Sequence, residues 1–391
     1  MTKSVANCGL EEQIDDLVRE VFPDVQKRYS EAAHCLLDGL CTKGSPLVTQ
    51  LSTAVKNGTA DEKGRKERVS GWLERYDFDT RINGWLLSHN AQCVKEDTQI
   101  NIDLTDISKQ WGGKGMEGME LGRDASTKTI RYGHTIGSAV IPGKTTSDPV
   151  IPLIFTLYEG RKEPIKHLCD LCDAVLDATD GKGILVIDRE ADCKALIQHL
   201  QKRSARFVIR VSHLKRKVFE GLENTPEHLS NAPGTWERQG TLPGTDGTPI
   251  TVIRKNPTEA ERANGATSLF LYTNIPYSTL APKIYKLRWA SETFHKDIKQ
   301  LFEFEKASVR TFKRLSSLTA LVVLAYHLLV NRLRGTSFFG PLLSEIRRTL
   351  NSTLHKTDRF RLVIQQFREI LLHGPTPGGR PKKQHNDPHQ L

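Results

Sequence analysis

The sequence predicts an α/β protein in which a mixed β-sheet is covered by helices and flanked by helical regions. Apolar residues recur at helical spacing from residue 10 to about residue 90, among many charged residues. Near Gln99 the pattern changes, and short apolar segments begin to alternate with helical ones. Helical spacing returns at Leu280 and continues, with interruptions, to Leu372.

Five strands and two helices are predicted in the central region. Residues 99–103 alternate, with Ile100 and Ile102 on one face, and residues 183–188 are continuously apolar, as expected of a strand buried on both faces. The order of three strands, helix, strand, helix and strand fits a mixed sheet covered by helices, as in the RNase H-like fold. Residues 212–278, rich in Gly, Pro, Asn and Thr, predict a β-rich insertion. The other predicted strands are 134–141, 150–157 and 207–211, and the predicted helices are 163–179 and 191–202.

The composition favours a polyanionic partner. The 391 residues include 56 Lys and Arg against 46 Asp and Glu, which gives a formal net charge of +10. This charge alone fits a merely basic soluble protein equally well. The basic run 63–68 before Trp72 has the same two interpretations, a DNA-binding face or a solvated charged face.

No membrane-spanning segment and no secretory signal are expected. The longest apolar run, residues 318–330, is interrupted by polar residues and is shorter than a bilayer requires, and the N-terminus is acidic. Seven cysteines scattered through a large chain indicate reduced thiols in the cytoplasm. Cys169 and Cys172 form a CxxC close to His167, but without a second pair for zinc they are interpreted as ordinary cysteines of a helix.

Two aspartates lie where predicted strands end. Asp103 ends the first strand and Asp188 ends the buried fourth strand, where neighbouring carboxylates could share a hard cation such as Mg²⁺ or Mn²⁺. Taken alone, each aspartate fits a turn or helix-capping residue better. Asp106 and Asp192 are competing ligand candidates, although Asp192 also fits the first turn of the next helix.

A third acidic residue, Glu292, lies in the segment 285–299. On a helix, Tyr285, Arg288, Glu292 and Lys299 fall within about 60° of one another. This stripe suits phosphate chemistry, with the carboxylate on a metal ion and the cations on a DNA backbone. An ion-pair ladder between Arg288 and Glu292, which are four residues apart, fits the same stripe equally well.

The segment also resembles a known motif. Tyr, two residues, Arg, three residues, Glu, six residues and Lys is the YREK signature of the bacterial insertion-sequence-four family of DDE transposases. Residues 188–192, Asp-Arg-Glu-Ala-Asp, resemble the second-Asp motif of that family, and residues 102–105, Ile-Asp-Leu-Thr, resemble its first-Asp motif. The signature is matched without a departure in spacing by Tyr285, Arg288, Glu292 and Lys299.

This resemblance implies a metal-dependent transposase with an RNase H-like catalytic domain. Two divalent ions, Mg²⁺ or Mn²⁺, would be held by Asp103, Asp188 and Glu292, one activating the attacking oxygen and the other stabilising the leaving oxygen. Water would free a 3′-hydroxyl at the transposon end, and that hydroxyl would attack target DNA. Contacts to DNA are expected from Tyr285, Arg288, Lys299, Arg210, Lys215 and Arg216, with an exposed loop of no special role as the alternative for residues 215–217.

The implied partners are double-stranded DNA, as terminal inverted repeats and as target, and a second copy of the chain in a DNA-bound homodimer. The implied location is the bacterial cytoplasm, at the nucleoid. A catalytically inactive DNA-binding regulator derived from a transposase, and a stand-alone nuclease, are the alternatives.

One departure concerns the Trp that related hairpin-forming enzymes carry in the strand before the Tyr-Arg-Glu helix, where it stacks on a flipped base. Residues 268–273 contain no Trp. Either Phe270 or Tyr272 stacks on the base instead, or these aromatics belong to the core and the hairpin route does not apply.

The expected organisation has six parts. They are a helical N-terminal DNA-binding region (1–94), the first part of the catalytic core (95–211), the β-rich insertion (212–278), the rest of the core with the Glu-bearing helix and a packing helix (279–335), a C-terminal helical region (336–372) and a disordered basic tail (373–391).

Overall fold

The computed structural model describes residues 10–55, 61–109, 115–123, 129–145, 148–242, 247–276 and 278–332. The C-terminal helical region predicted for residues 336–372 and the tail predicted for residues 373–391 lie outside the described residues.

Five helices precede the first strand, in the region where the apolar spacing predicts helices. In the first of them, the buried residues Ile14, Leu17 and Val21 lie on one face. Asp61 and Asp77 begin the fourth and fifth helices, and their carboxylates accept hydrogen bonds from backbone N–H groups of the first turn. The five helices are α1 (Leu10–Val21), α2 (Lys27–Lys43), α3 (Val48–Leu51), α4 (Glu62–Arg75) and α5 (Phe78–Ala91).

Within the described ranges, nine strands then form one mixed sheet, most of whose pairings are antiparallel. The central strand β1 pairs in parallel with β5, and β5 pairs in parallel with β6, while every other pairing is antiparallel. The sheet order is β2-β3-β1-β5-β6-β9-β8-β7, and β4 pairs with β3. The strands are β1 (Gln99–Lys109), β2 (Glu120–Arg123), β3 (Ile130–Ile141), β4 (Ile151–Tyr158), β5 (Ile184–Ile187), β6 (Arg206–Arg210), β7 (Gly234–Thr241), β8 (Pro249–Asn256) and β9 (Leu269–Thr273).

Three features of the sheet differ from the sequence prediction. The first strand does not end at Asp103 but continues to Lys109, because residues 101–109 all pair with β3. The segment 212–278 is β-rich as predicted, but its strands extend the main sheet, since β9 pairs directly with β6. Strand β2 was not predicted.

Helices cover both faces of the sheet. Ile100 and Ile102 of β1 face a core that includes residues of α6 and α7. A second core joins the N-terminal helices to the last helices of the described chain and to Phe155 of β4. The remaining helices are α6 (Pro164–Ala178), α7 (Lys194–Lys202), α8 (Glu259–Ala263), α9 (Ala281–Lys286), α10 (Trp289–Leu301) and α11 (Phe312–Tyr326).

Helix α11 is apolar on all sides. Among the described residues, Phe312–Val330 is the helical segment with the length and composition to cross a membrane, so the predicted run 318–330 is only part of a longer one. Most of this segment is buried, and it contacts α2, α4, α5 and β4. Its apolar character is therefore accounted for by its position in the centre of the helical core.

Two asparagines of α5 form hydrogen bonds with backbone groups on the outer edge of strand β4, which pairs with β3 alone among the described strands. The Asn83 side chain accepts a hydrogen bond from Phe155 N (2.9 Å) and donates one to Phe155 O (3.3 Å). Two turns further along α5, on the same face of the helix, Asn90 Nδ2 donates to Pro152 O at 2.7 Å. These bonds attach the N-terminal helices to the sheet and leave no open strand edge at Phe155.

We expect Asn83→Ala to lower the free energy of unfolding by about 1–3 kcal/mol, because it leaves a buried backbone N–H and C=O without partners. Urea denaturation monitored by circular dichroism measures this. The control is Ser88→Ala on the same helix, which removes an exposed hydroxyl bonded to Trp85 O and is expected to change stability by less than about 0.5 kcal/mol. Equal losses in the two variants would contradict this role for Asn83.

Candidate active site

The parallel pairing of β1 and β5 brings two aspartates to the same level of the sheet. Ile102 lies opposite Ile187, so Asp103 and Asp188 are the next residues on neighbouring strands. Strand β5 ends at Ile187, and Asp188 begins a short 3-10 turn. Asp103 lies in the middle of its strand and not at the predicted end, but the end of its partner strand still opens a cleft beside it.

Tyr285, Arg288 and Glu292 do not lie on one continuous helix, and the prediction of a single helix through residues 285–299 is wrong. Helix α9 ends at Lys286 and α10 begins at Trp289. At this break, Leu287 O and Arg288 O accept hydrogen bonds from Ala290 N and Ser291 N. Each donor lies three residues after its acceptor, as in a 3-10 turn, which is tighter than an α-helix.

The guanidinium of Arg288 lies among all three predicted catalytic carboxylates. Its Nη1 is 4.0 Å from Asp103 Oδ2, its Nε is 3.8 Å from Asp188 Oδ1, and its Nη2 donates a hydrogen bond to Glu292 Oε1. The Arg288 side chain is only 8% exposed. Arg288 and Glu292 have the four-residue spacing of the predicted ion-pair ladder, but their ion pair belongs to a larger charge cluster that also includes Asp103 and Asp188.

Burial and the neighbouring charges shift the protonation of this cluster. Burial raises the pKa of the Asp103 carboxyl to about 7; Arg288 opposes this shift, and Asp188 and Glu292 add to it. Although burial also disfavours the Asp188 charge, Arg288 and the Tyr285 hydroxyl hold its pKa below the usual range. Burial opposes the charge of Arg288, but the surrounding anions, Asp188 first, raise its pKa. The single positive charge of Arg288 therefore balances only part of the negative charge of the three carboxylates.

Tyr285 and Lys299 both face this region. The Tyr285 hydroxyl donates a hydrogen bond of 2.7 Å to Asp188 Oδ1, and burial together with Asp188 raises its pKa. The Nζ of Lys299 is 3.1 Å from Glu305 Oε1 and 3.5 Å from the carbonyl oxygen of Asp106. Tyr285 thus orients an active-site acid, while Lys299 lies along the wall of the cleft.

The basic residues predicted after β6 fall into two groups. Arg210 ends β6 and is close enough to Asp188 to lower its pKa, and Lys215 is exposed. Arg216 instead pairs with the fully buried Asp192 side chain, Nη1 to Oδ1 at 2.5 Å, and donates from Nη2 to Asp192 O. The same Asp192 carboxylate accepts bonds from Ser212 N and His213 N. Arg216 is thereby held in a loop-stabilising ion pair.

The competing acids and the strand aromatics also have structural partners. Asp192 holds the 212–216 loop, and Asp106 Oδ2 is 3.5 Å from Arg161 Nη2. Phe270 and Tyr272 are buried in the sheet core, and Arg254 covers the Phe270 ring. Cys169 is half-buried and Cys172 buried on α6, as predicted for ordinary helix cysteines.

Two further residues of the cleft, and one exposed residue that follows Arg288 in the chain, were missed by sequence reasoning. Glu190 lines the cleft, where its charge contributes to the raised pKa of Asp103. His295 lies one turn after Glu292, and its Nδ1 is 3.7 Å from Asp103 Oδ2; burial, then Lys299 and Arg288, lower its pKa to about 3. Trp289 is 58% exposed and shares a helix face with Lys296, which lines the cleft.

The cleft has a volume of about 680 Å³ and is open to solvent. Within the described ranges, no three acidic, His or Cys side chains lie close enough to form a ready-made metal site. The guanidinium of Arg288 lies between the carboxylates, and it is the protein's own cation at this position. The chemical type of these side chains suits a hard divalent ion, because carboxylate oxygens are the ligands that such ions prefer.

Comparison with known protein families bears on the same region. Residues 150–328 match the family model described as the transposase DDE domain. This match supports a DDE transposase. The matched segment includes Asp188 and Glu292, begins after Asp103, and covers less than half of the 391-residue chain. No curated protein matches the chain.

We expect Arg288→Ala to lower the free energy of unfolding in metal-free buffer by about 2 kcal/mol, because it leaves three partly buried carboxylates without their cation. Added Mn²⁺ should stabilise this variant more than the parent protein, which denaturation with and without Mn²⁺ measures. The control is Arg206→Ala, which breaks an ion pair with the exposed Glu96 and is expected to cost less than about 1 kcal/mol. Equal stabilisation of parent and Arg288→Ala by Mn²⁺ would count against the cluster as a cation site.

Proposed function

We propose that this chain is an active DDE transposase of the insertion-sequence-four type, which cleaves and joins DNA with divalent ions held by Asp103, Asp188 and Glu292. The observation that carries the proposal is the convergence of these three carboxylates, from β1, the end of β5 and α10, on the single guanidinium of Arg288. The transposase DDE domain match over residues 150–328 supports the same reaction class.

The catalytic core is proposed to be RNase H-like. In its support, the elements β1, β3, β4, α6, β5, α7 and β6 follow one another in the predicted order of three strands, helix, strand, helix and strand, with the short strand β2 added. Strands β1, β3 and β4 form an antiparallel group, and strands β5 and β6 continue the sheet from β1 in parallel. Asp103 and Asp188 directly follow Ile102 and Ile187, the last residues at which β1 and β5 pair.

Asp103, Asp188 and Glu292 would hold the divalent ions, which would supply activation of the attacking oxygen and stabilisation of the leaving oxygen. Asp188 is kept ionised by Arg288 and by the Tyr285 hydroxyl, and its hydrogen bond with that hydroxyl also orients it. Asp103, whose pKa is raised by burial, loses its proton when it binds a cation. In the cleavage step, the oxygen of water bonds to phosphorus as the bond to the 3′ oxygen breaks, which leaves a 5′-phosphate and a 3′-hydroxyl. In the joining step, this 3′-hydroxyl bonds to a phosphorus of target DNA as the bond from that phosphorus to the target's 3′ oxygen breaks, and the target's 3′-hydroxyl is released.

DNA is proposed to lie along the face of α10 that borders the cleft. Lys296 and Lys299 line this face, and Arg210 is close enough to Asp188 to lower its pKa. Cations at these positions suit phosphate oxygens of a backbone that passes over the acids. Once Arg288 is displaced from the carboxylates by a metal ion, its guanidinium can make the same kind of contact. The expected DNA-bound homodimer remains part of the proposal.

We expect Glu292→Gln to abolish strand cleavage of DNA bearing the element's own terminal repeats, because the neutral amide binds Mg²⁺ or Mn²⁺ poorly. The measurement is product formation with Mg²⁺ and with Mn²⁺, scored for both cut and joined DNA. The control is Glu303→Gln, whose carboxylate pairs with Lys306 beyond the end of α10 and which should cleave as the parent does.

Three results would contradict the proposal in different ways. Full cleavage by Glu292→Gln would remove the third acid from the reaction. Binding of terminal repeats by the parent without cleavage in any divalent ion would instead identify the regulator. Cut products without joined products would identify the nuclease.

A base-stacking role is proposed for Trp289, since Phe270 and Tyr272 are buried. We expect Trp289→Ala to weaken cleavage of terminal-repeat DNA by roughly tenfold, and Trp289→Phe by much less, because stacking on an aromatic contributes about 1–3 kcal/mol per base. Fluorescence of a 2-aminopurine placed near the cleaved end measures the unstacked base. The matched control is Trp236→Ala, which removes another exposed Trp from strand β7. If both Trp variants lower cleavage and fluorescence equally, stacking at Trp289 is wrong.

A further inference from the structure

The relative position of Asp103 and Glu292 depends on contacts between elements that are far apart in the chain. Asp103 is fixed by the hydrogen bonding of β1 within the sheet. Glu292 reaches the cleft on α10, which follows the break after α9. The position of that break therefore decides where the Glu292 carboxylate lies.

The Asn101 side chain bonds to the backbone at this break. Its Nδ2 donates to Leu287 O at 3.0 Å, and Arg288 O is 3.4 Å away, although these residues are more than 180 positions later in the chain. Asn101 is 0% exposed and lies two residues before Asp103, so both side chains lie on the same face of β1. Gln99 Nε2 donates to Asn101 Oδ1 at 2.6 Å, which directs the Asn101 donors towards the helix.

A second contact holds α10 one turn beyond Glu292. His295 Nε2 lies 2.8 Å from Ser138 Oγ, and Ser138 is the direct partner of Asp103 on strand β3. Ser138 Oγ also donates to Asp103 O at 3.4 Å. In either tautomer of the ring, this contact joins the Glu292 helix to the strand beside Asp103.

Ser138, His295 and Asp103 have the residue types of a nucleophilic triad, but their environment excludes that function. Ser138 is 0% exposed, so no substrate atom reaches its hydroxyl. His295 Nδ1 is 3.7 Å from Asp103 Oδ2, which is beyond hydrogen-bond distance. The arrangement is a packing contact between helix and sheet.

We propose that Asn101 is a positioning residue for the metal site, and that the Ser138–His295 contact completes its effect. The two contacts bracket Glu292, one at the start of α10 and one a turn after the acid, and they attach the helix to β1 and to its neighbour β3. Asn101 does not line the cleft but holds the backbone at Leu287 and Arg288, so we assign its effect on the metal site to the position of α10, which carries Glu292. This inference rests on the proposed function, which assigns Asp103 and Glu292 to one metal site.

The test is a titration of the full-length protein with Mn²⁺, in which the paramagnetic resonance signal of free Mn²⁺ gives the affinity. Residues that orient metal ligands typically change metal affinity by about 10–100-fold, and we expect Asn101→Ala to weaken Mn²⁺ binding by about tenfold. In a Glu292→Ala background, the same substitution should cause no further loss, because the position of the helix then no longer matters.

The matched control is Asn256→Ala on β8, which removes another buried amide that donates to backbone carbonyls and does not line the cleft. It should lower stability while leaving Mn²⁺ affinity at the parental value. Ser138→Ala deletes one oxygen from the second contact and is the milder variant should Asn101→Ala fold poorly. We expect it to weaken Mn²⁺ binding in the same direction, by a few-fold.

The outcomes separate this inference from the proposed function. If Glu292→Ala weakens Mn²⁺ binding but Asn101→Ala and Ser138→Ala do not, the positioning role is wrong and the metal site stands. A full additional loss on adding Asn101→Ala to Glu292→Ala also overturns the positioning role, since the effect would not pass through Glu292. If Glu292→Ala itself keeps parental affinity, the proposed metal site is wrong, and the positioning role fails with it.

Discussion

The site depends on the electrostatic interaction between the Arg288 guanidinium and the carboxylates of Asp103, Asp188 and Glu292. Three anions brought together in a partly buried cleft repel one another, and each loses hydration. One guanidinium offsets part of this cost and leaves an excess of negative charge, which with burial raises the pKa of Asp103 to about 7. This excess of negative charge is the feature on which the proposed binding of divalent cations depends.

The fold supplies this interaction from three directions. Parallel pairing sets Asp103 and Asp188 side by side, because residues opposite each other on neighbouring strands stay at the same level of the sheet. Arg288 and Glu292 come from a tight turn and the first turn of α10, whose backbone is held by Asn101. The N-terminal helices pack against α11 and the edge of β4, so the helices behind the cleft share one core with the sheet.

Much of the fold follows from local patterns in the sequence. The continuous apolar run at 183–188 and the helical spacing at 163–179 correspond to β5 and α6, since burial on two faces and on one face leave different periodicities. The end of β1 and the join of β9 to β6 were not predictable in this way, because strand length and pairing depend on a partner elsewhere in the chain. The helix break at Leu287 escaped prediction for the same reason, as its carbonyl bonds to a side chain on β1.

The sequence by itself determined which acids and cations are available, their order, and the YREK spacing of Tyr285, Arg288, Glu292 and Lys299. Only the tertiary structure decided which charges meet. Arg216 and Arg288 are both arginines near acidic residues in the chain, yet one stabilises a loop through Asp192 and the other lies among the three acids of the cleft. Residue spacing governs hydrogen bonds and exposed faces within one element, whereas contacts between distant elements depend on strand register and packing, which no local pattern contains.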